Sequence, residues 1–303
     1  MNAIETRSLS KRYGRTWALD GCTLAIPAGR VVALVGPNGA GKTTLLHLAV
    51  GLTTPTGGAI TVLGGALPGS DPALERIGFV AQDTPLYKNL NVADTLRLVA
   101  NLSATWDEAS ARAHLARLEI PLTRKVGHLS GGQQAQVSLA VALGRHPELL
   151  VLDEPVARLD PLARHDFMAI LMAAVAEEGI SVLFSSHVVA ELERVCDYLV
   201  VLNHGKVQVA GEVDGLLDSH RIFTGPTAEA TAAAASLAVV QAQQGDRQTS
   251  LLARTSQEFV PPQGWAVGPT NLEELVLAYL RSGSASALPG PQPSPDADVR
   301  ATA

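Results

Sequence analysis

Val31-Val32-Ala33-Leu34-Val35 runs straight into Gly36-Pro37-Asn38-Gly39-Ala40-Gly41-Lys42-Thr43-Thr44, and this stretch decides the fold. Five consecutive apolar residues without alternation read as a strand buried on both faces. The residues after it fit G-x-x-x-x-G-K-[ST], in which glycines let successive backbone N–H groups turn inward around an anion. A helix opening near Lys42 adds its positive N-terminal end. In such a cradle Lys42 sets a point charge between the β- and γ-phosphates of a nucleotide, and the Thr43 hydroxyl is placed to hold Mg²⁺. The strand before and the helix after separate this pattern from a chance glycine-rich loop.

Leu149-Leu150-Val151-Leu152 and Ile180-Ser181-Val182-Leu183-Phe184 repeat the buried-strand texture, with Ile77–Val80 and Tyr198–Leu202 as further candidates. Leu149–Leu152 ends in Asp153-Glu154-Pro155. Ligands of open α/β sheets sit at the carboxyl ends of strands, so both acids stand where a ligand would be. Asp153 can reach Mg²⁺, commonly through water, and Glu154 is then aimed at the γ-phosphate, where it can activate a water. An acidic loop is ordinary in isolation; the glycine-rich loop gives this pair its meaning.

Around these strands, Ile4–Leu9 and Cys22–Ile26 look like an antiparallel edge, and Asn203-His204-Gly205 looks like a turn between strands. A helix over Lys42–Val50 should stop at Gly51. Thr105-Trp106-Asp107-Glu108 has the spacing of a capping box opening a helix to about Leu118. Asp160-Pro161 is an N-cap and first-turn pair for a helix ending before Gly179. Asp83–Leu129 holds two or three helical patterns and no buried strand, so it reads as a helical insert. Beyond Leu217 the texture changes. Strand-like Ser250–Ala253 and Trp265–Val267, then an amphipathic helix over Asn271–Leu280, predict a small α+β appendage over 220–282. Residues 283–303 are rich in Pro, Ser, Ala and Gly and are expected to be disordered.

The 303 residues, 47% of them hydrophobic, suffice for one large domain with a small appendage. A net charge of -6 with no basic tract argues against nucleic acid as a partner. Two cysteines support neither a disulfide framework nor a Cys-rich metal site, which fits a reducing cytosol. Met1-Asn2-Ala3-Ile4-Glu5 has no basic start followed by an apolar stretch and is not a signal peptide. No run approaches the roughly 20 apolar residues that cross a bilayer. Ala228–Ala242 comes nearest, but Glu229, Thr231, Ser236 and Gln241 interrupt it. Any action on a membrane would be exerted from the water side, through a partner.

Leu129-Ser130-Gly131-Gly132-Gln133 adds a second feature. Ser130 as N-cap and Gln133 three residues on form a capping box for a helix over Gln134–Leu143. The same Ser hydroxyl, two Gly amides and helix dipole also make a phosphate site. One chain already has a complete cradle, so a second site points to the ATP of another copy.

With these motifs in this order over about residues 3–217, the sequence resembles the ATP-binding-cassette ATPase subunits of membrane transporters, Leu129–Gln133 matching that family's signature. The resemblance implies an α/β fold: a P-loop NTPase core spanning 1–219, with an antiparallel β edge subdomain and a helical insert at about 83–130. It implies head-to-tail pairing with itself or a similar ATPase chain, each ATP lying between Gly36–Thr44 of one chain and Ser130, Gly131, Gly132 and Gln133 of the other. Tyr13 matches the aromatic that stacks on adenine, although an exposed strand tyrosine would look the same. Gln82 matches the glutamine that contacts Mg²⁺ and the attacking water. Glu154 matches the catalytic base, and His187, in Ser185-Ser186-His187, the histidine that holds the γ-phosphate. Asp160 matches an aspartate communicating across the dimer, and it is equally an N-cap; both can hold. Two positions depart from the family pattern. Ala157-Arg158-Leu159-Asp160 stands where Ser-Gly-Leu-Asp is usual, and Gln134-Ala135-Gln136 lacks the basic residue common there.

The short insert and the closing Asn271-Leu272-Glu273-Glu274-Leu275 resemble exporter-type bacterial subunits, whose membrane-spanning permease is a separate chain. That implies a peripheral position on the cytoplasmic face of the plasma membrane. Two other readings stay open: a soluble mechanochemical ATPase acting on ribosomes or DNA, and a small-molecule P-loop kinase, which leaves Leu129–Gln133 unexplained.

Overall fold

The apolar runs do become the centre of a sheet. In the computed structural model, which describes residues 1–189, 192–193, 195–255 and 263–282, β1 (Asn2–Tyr13) and β2 (Thr16–Pro27) pair antiparallel. β3 (Val31–Val35) leads through the glycine-rich loop into α1 (Lys42–Ala49), and β4 (Gly57–Val62) joins the other edge of β1. A short helix, α2 (Asp71–Leu74), precedes β5 (Ile77–Val80). The chain then leaves the sheet through α3 (Val92–Leu102) and α4 (Glu108–Arg117) and returns along α5 (Gly131–Leu143) to β6 (Leu149–Leu152). α6 (Pro161–Glu178), β7 (Ser181–Ser186), β8 (Tyr198–Asn203) and β9 (Lys206–Glu212) follow.

Among the described residues the central sheet has six strands in the order β5-β6-β7-β3-β8-β9, parallel except for β9. Its two faces are both covered, which is why its strands are continuous apolar runs. Val31, Ala33, Val35, Leu150 and Leu152 pack with Leu139 and Leu143 of α5 and Phe167 and Leu171 of α6. Val32, Leu34, Leu149 and Val151 pack on the other face with Leu45, Leu46 and Leu48 of α1 and with Ile4 and Leu24 of the antiparallel edge. Each fully buried Leu or Val contributes about 1.5–3 kcal/mol, and a one-residue slip of β3 would exchange the two sets.

The remaining chain forms α7 (Val213–Asp218), β10 (His220–Pro226), α8 (Ala230–Ala235), β11 (Ala238–Gln244), β12 (Gln248–Arg254), β13 (Ala266–Pro269) and α9 (Leu272–Arg281). These strands make a second, antiparallel sheet in the order β11-β12-β10-β13, with a small core of Phe223, Leu251 and Trp265. α9 binds this unit to the main one: Leu272, Leu275, Val276 and Tyr279 belong to the same cluster as α5 and α6. Asn203 Nδ2 donates to the Leu280 carbonyl at 3.0 Å. His220, fully buried, has Nδ1 2.7 Å from the Leu216 carbonyl and Nε2 2.9 Å from the Tyr279 hydroxyl. A carbonyl only accepts, so Nδ1 bears the proton and Nε2 accepts from Tyr279. Burial depresses the His220 imidazole below its ordinary value and pushes the Tyr279 phenol up to about 12.

One sequence expectation changes. The helix after Thr105 is capped by Asp107, whose carboxylate accepts from Ser110 N–H at 2.9 Å, while Thr105 Oγ1 donates to the Arg145 carbonyl. The Thr105–Glu108 spacing is therefore not a capping box. The Ala-rich 228–242 is divided between α8 and the start of β11, and no helix among the described residues is long and apolar enough to cross a membrane. The stretch expected to be disordered, 283–303, lies outside the described residues.

Candidate active site

Strand register gathers the site. Val80 pairs with Leu152, Leu152 with Phe184, and Val35 with Ser186. The carboxyl ends of β5, β6, β7 and β3 thus reach one rim, and the next residues of each carry a predicted site side chain: Gln82, Asp153 and Glu154, His187, and the Gly36–Thr44 loop. A cavity of about 460 Å³ opens there. Tyr13, Asn38, Gly39, Ala40, Gly41, Lys42, Thr43, Thr44, Gln82, Glu154 and His187 line it, together with Ala18. Tyr13 is half exposed at its mouth, with Lys11 Nζ 5.1 Å from its ring centroid.

Gly41 is the N-cap of α1 at φ 104°, a backbone open in practice only to glycine, and no side chain caps the helix. The amides of the first turn and the helix dipole therefore face the cavity without a competing acceptor from a cap. Gly36 and Pro37 do not line the cavity; their carbonyls accept from Lys42 Nζ at 2.8 and 3.3 Å. The Lys42 side chain is 5% exposed, so its charge is held on a short tether at the bottom of the site.

The acids differ. Asp153 is 2% exposed and accepts from Ser185 Oγ at 2.8 Å. The same hydroxyl accepts from Glu154 N–H at 2.7 Å. Ser185 on β7 therefore fixes the Asp153 carboxylate and the Glu154 backbone just past the end of β6, a role the sequence analysis missed; its signal was a serine inside an apolar strand. Glu154 has φ 45°, a left-handed backbone unusual for a residue with a side chain and of the kind found at functional sites. Its Oε1 lies 3.3 Å from Lys42 Nζ, and its Oε2 lies 3.2 Å from His187 Nδ1 and 3.3 Å from Gln82 Nε2. Among the described residues no cluster of three His, Cys, Asp or Glu could hold a metal. A hydroxyl, Thr43, and a buried carboxylate, Asp153, suit a hard cation that takes its other ligands from phosphate and water.

The second phosphate site predicted from the sequence stands apart. Ser130, Gly131, Gly132, Gln133 and Asp160 do not line the cavity. Ser130 Oγ accepts from Gln133 N–H at 3.2 Å and Gln133 Oε1 from Ser130 N–H at 3.1 Å, the reciprocal box that the spacing predicts. Acting as acceptor there, the Ser130 hydroxyl keeps its own proton to donate. Asp160 caps α6, accepting from Leu162 and Ala163 N–H at 3.1 and 3.0 Å. Arg158, the departure beside it, pairs with Asp83 at 3.0 Å and tethers this loop to the residue after Gln82.

The chain has clear relatives. A family model described as ABC transporter matches residues 19–157. The Nod factor export ATP-binding protein I of Cupriavidus pinatubonensis is 39% identical over 222 residues, 71% of this chain and 68% of that protein. The lantibiotic transport ATP-binding protein SrtF of Streptococcus pyogenes is 31% identical over 230 residues, 73% of this chain and 95% of that one. Among solved structures, an ATP-binding subunit of an ABC transporter aligns with a TM-score of 0.63 at 32% identity, over 71% of this chain and 92% of that one. A dimeric, post-hydrolysis ATP-binding cassette bound to ADP and Pi aligns with a TM-score of 0.61 at 25% identity, over 69% and 98%. A buried lysine in a glycine-rich cradle, an acid pair at the end of β6 on the same rim and a capped second helix thus come together in a chain that belongs to the ABC transporter family, as an ATP-binding subunit that hydrolyses ATP.

Proposed function

We propose that this chain powers an exporter through a separate membrane-spanning permease, working on the cytoplasmic face of the membrane as a dimer that closes around two ATP molecules. Lys42 and the Gly36–Thr44 loop hold the triphosphate and Tyr13 stacks on the adenine. Mg²⁺, held by the Thr43 hydroxyl, Asp153 and Gln82 together with phosphate oxygens, would neutralise charge developing on the γ-phosphate. Glu154 takes a proton from the attacking water, while Gln82 and His187 orient that water and the γ-phosphate. Ser130, Gly131, Gly132 and Gln133 complete the site of the other copy, and Asp160 lies at the seam. The insert at about 83–130 carries closure to the permease, and 220–282 serves as a small accessory domain.

One observation carries most of this reading: a cavity with the cradle, base and γ-phosphate ligands on one rim, while an intact phosphate-binding helix end lies outside it. Relatives named for export and for lantibiotic transport support the direction and the permease, and the dimeric cassette supports pairing. A triphosphate contacted by both copies favours the closed state, and hydrolysis removes the shared ligand. The test is Glu154→Gln at saturating ATP and Mg²⁺, followed by light scattering. A stable dimer with little turnover is expected; a monomer refutes the sandwich.

A further inference from the structure

Three of the groups assigned to the γ-phosphate, the attacking water and the metal converge on one residue. Lys42 meets Glu154 Oε1 at 3.3 Å, and His187 and Gln82 meet Oε2 at 3.2 and 3.3 Å. The carboxylate is only 12% exposed, so water screens it poorly. It is aimed there by its left-handed backbone and by the bond from its N–H to Ser185. The carboxylate thus has a cation on one oxygen and two polar groups on the other, the same side chains that the proposed function assigns to the γ-phosphate, the attacking water and the metal.

We infer that Glu154 sets the discrimination between nucleoside triphosphate and diphosphate: a triphosphate must expel its carboxylate from Lys42, Gln82 and His187, whereas a diphosphate leaves its contacts with Gln82 and His187 in place. The inference rests on the proposed ATP site and adds to Glu154 a role distinct from proton transfer. A diphosphate ends at the helix amides and Lys42 and leaves Glu154 bound to His187 and Gln82. A triphosphate brings negative charge against a carboxylate in a site where like charges repel strongly. The same contacts re-form when the cleaved phosphate leaves, which favours the diphosphate-bound chain after turnover.

The test measures ATP and ADP binding to the full chain by calorimetry in EDTA, where hydrolysis does not proceed, at dilutions where light scattering shows monomers. Glu154→Gln and Glu154→Ala should each bind ATP on the order of tenfold more tightly than the unaltered chain, with ADP affinity changed by less than about twofold. Equal shifts for both nucleotides, or no tightening for ATP, overturn the inference while leaving the ATP site intact. An unaltered chain that binds neither nucleotide overturns the proposed function itself.

Discussion

Gly132 and Ala163 touch: a Cβ on Gly132 would lie 2.8 Å from the Ala163 methyl carbon, so the first turns of α5 and α6 meet where no side chain fits. A Cβ on Gly131, by contrast, would meet nothing within 4 Å. The two glycines of one motif therefore do different work. Gly132→Ala should force the helix ends apart and cost about 1–3 kcal/mol. Gly131→Ala should keep the thermal midpoint but lower ATPase activity, because its open face belongs to the proposed second phosphate site. Calorimetric scans of both variants decide this; equal midpoints for Gly132→Ala and the unaltered chain would show that the contact is slack.

Separation of the Lys42 cavity from Ser130 leads to a complementation experiment. Chains with Lys42→Ala and chains with Ser130→Arg should each be nearly inactive. In a mixed dimer one site keeps both Lys42 and Ser130, so an equimolar mixture should recover up to about a quarter of the sites. Phosphate release from the mixture measures it, and activity no greater than that of the separate variants would count against sharing of sites between copies.

Gln136 on α5 is 5% exposed, and among the described residues neither its amide nitrogen nor its amide oxygen has a hydrogen-bond partner. An unsatisfied buried polar group costs about 1–3 kcal/mol. Gln136→Met, close in volume and apolar, should therefore raise stability by about 1 kcal/mol. Urea unfolding reads the change, and a lower midpoint would mean the amide is satisfied in solution.

His220 makes stability depend on acidity. Burial is the chief cause of its lowered pKa, with Arg254 and Arg221 adding to it and the bond to Leu216 opposing it. The unfolded chain takes up this proton near 6.5, the folded chain only at lower pH. Between the two, the unfolded state holds more protons, so the contribution is intact above about 6.5 and is lost as pH falls through that window. His220→Gln should show a shallower loss of urea midpoint between neutral and mildly acidic pH. His146 acts in the opposite direction. Its bonds to Glu178 and Asp107 raise its pKa, and its contribution is present below 6.5 and lost as pH rises through the raised value.

Legibility in the sequence followed physical determinism. Val31–Val35 and Leu149–Leu152 were plain because a strand buried on both faces needs apolar residues throughout. Ser130–Gln133 and Asp160–Pro161 were plain because caps are local. Asp107 was missed because Thr105 and Asp107 both qualify as N-caps, and the choice between them rests on partners far along the chain: Arg145 for Thr105, and His146, whose Nε2 lies 3.3 Å from Asp107 Oδ2, for Asp107. β11 was hidden because alanine has little strand preference, and pairing with β12 decides its state. Every residue lining the cavity except Ala18 was among those the sequence singled out, whereas Gly36, Pro37 and Asp153, also singled out, do not line it. The closure of Glu154 onto Lys42 was not legible, since it depends on a left-handed backbone that no residue type announces.

β5 and β6 are hydrogen-bonded neighbours, although α3, α4 and α5 lie between them in sequence. The excursion departs and comes home at adjacent points of the sheet, so the pairing that sets the rim bearing Gln82 and Glu154 does not pass through it. Loops of this sort are where a lineage can exchange one docking shape for another while its engine stays unaltered. Grafting the corresponding excursion from a relative, with α5 retained as the return path, is thus the change that would re-address the proposed subunit to a different permease.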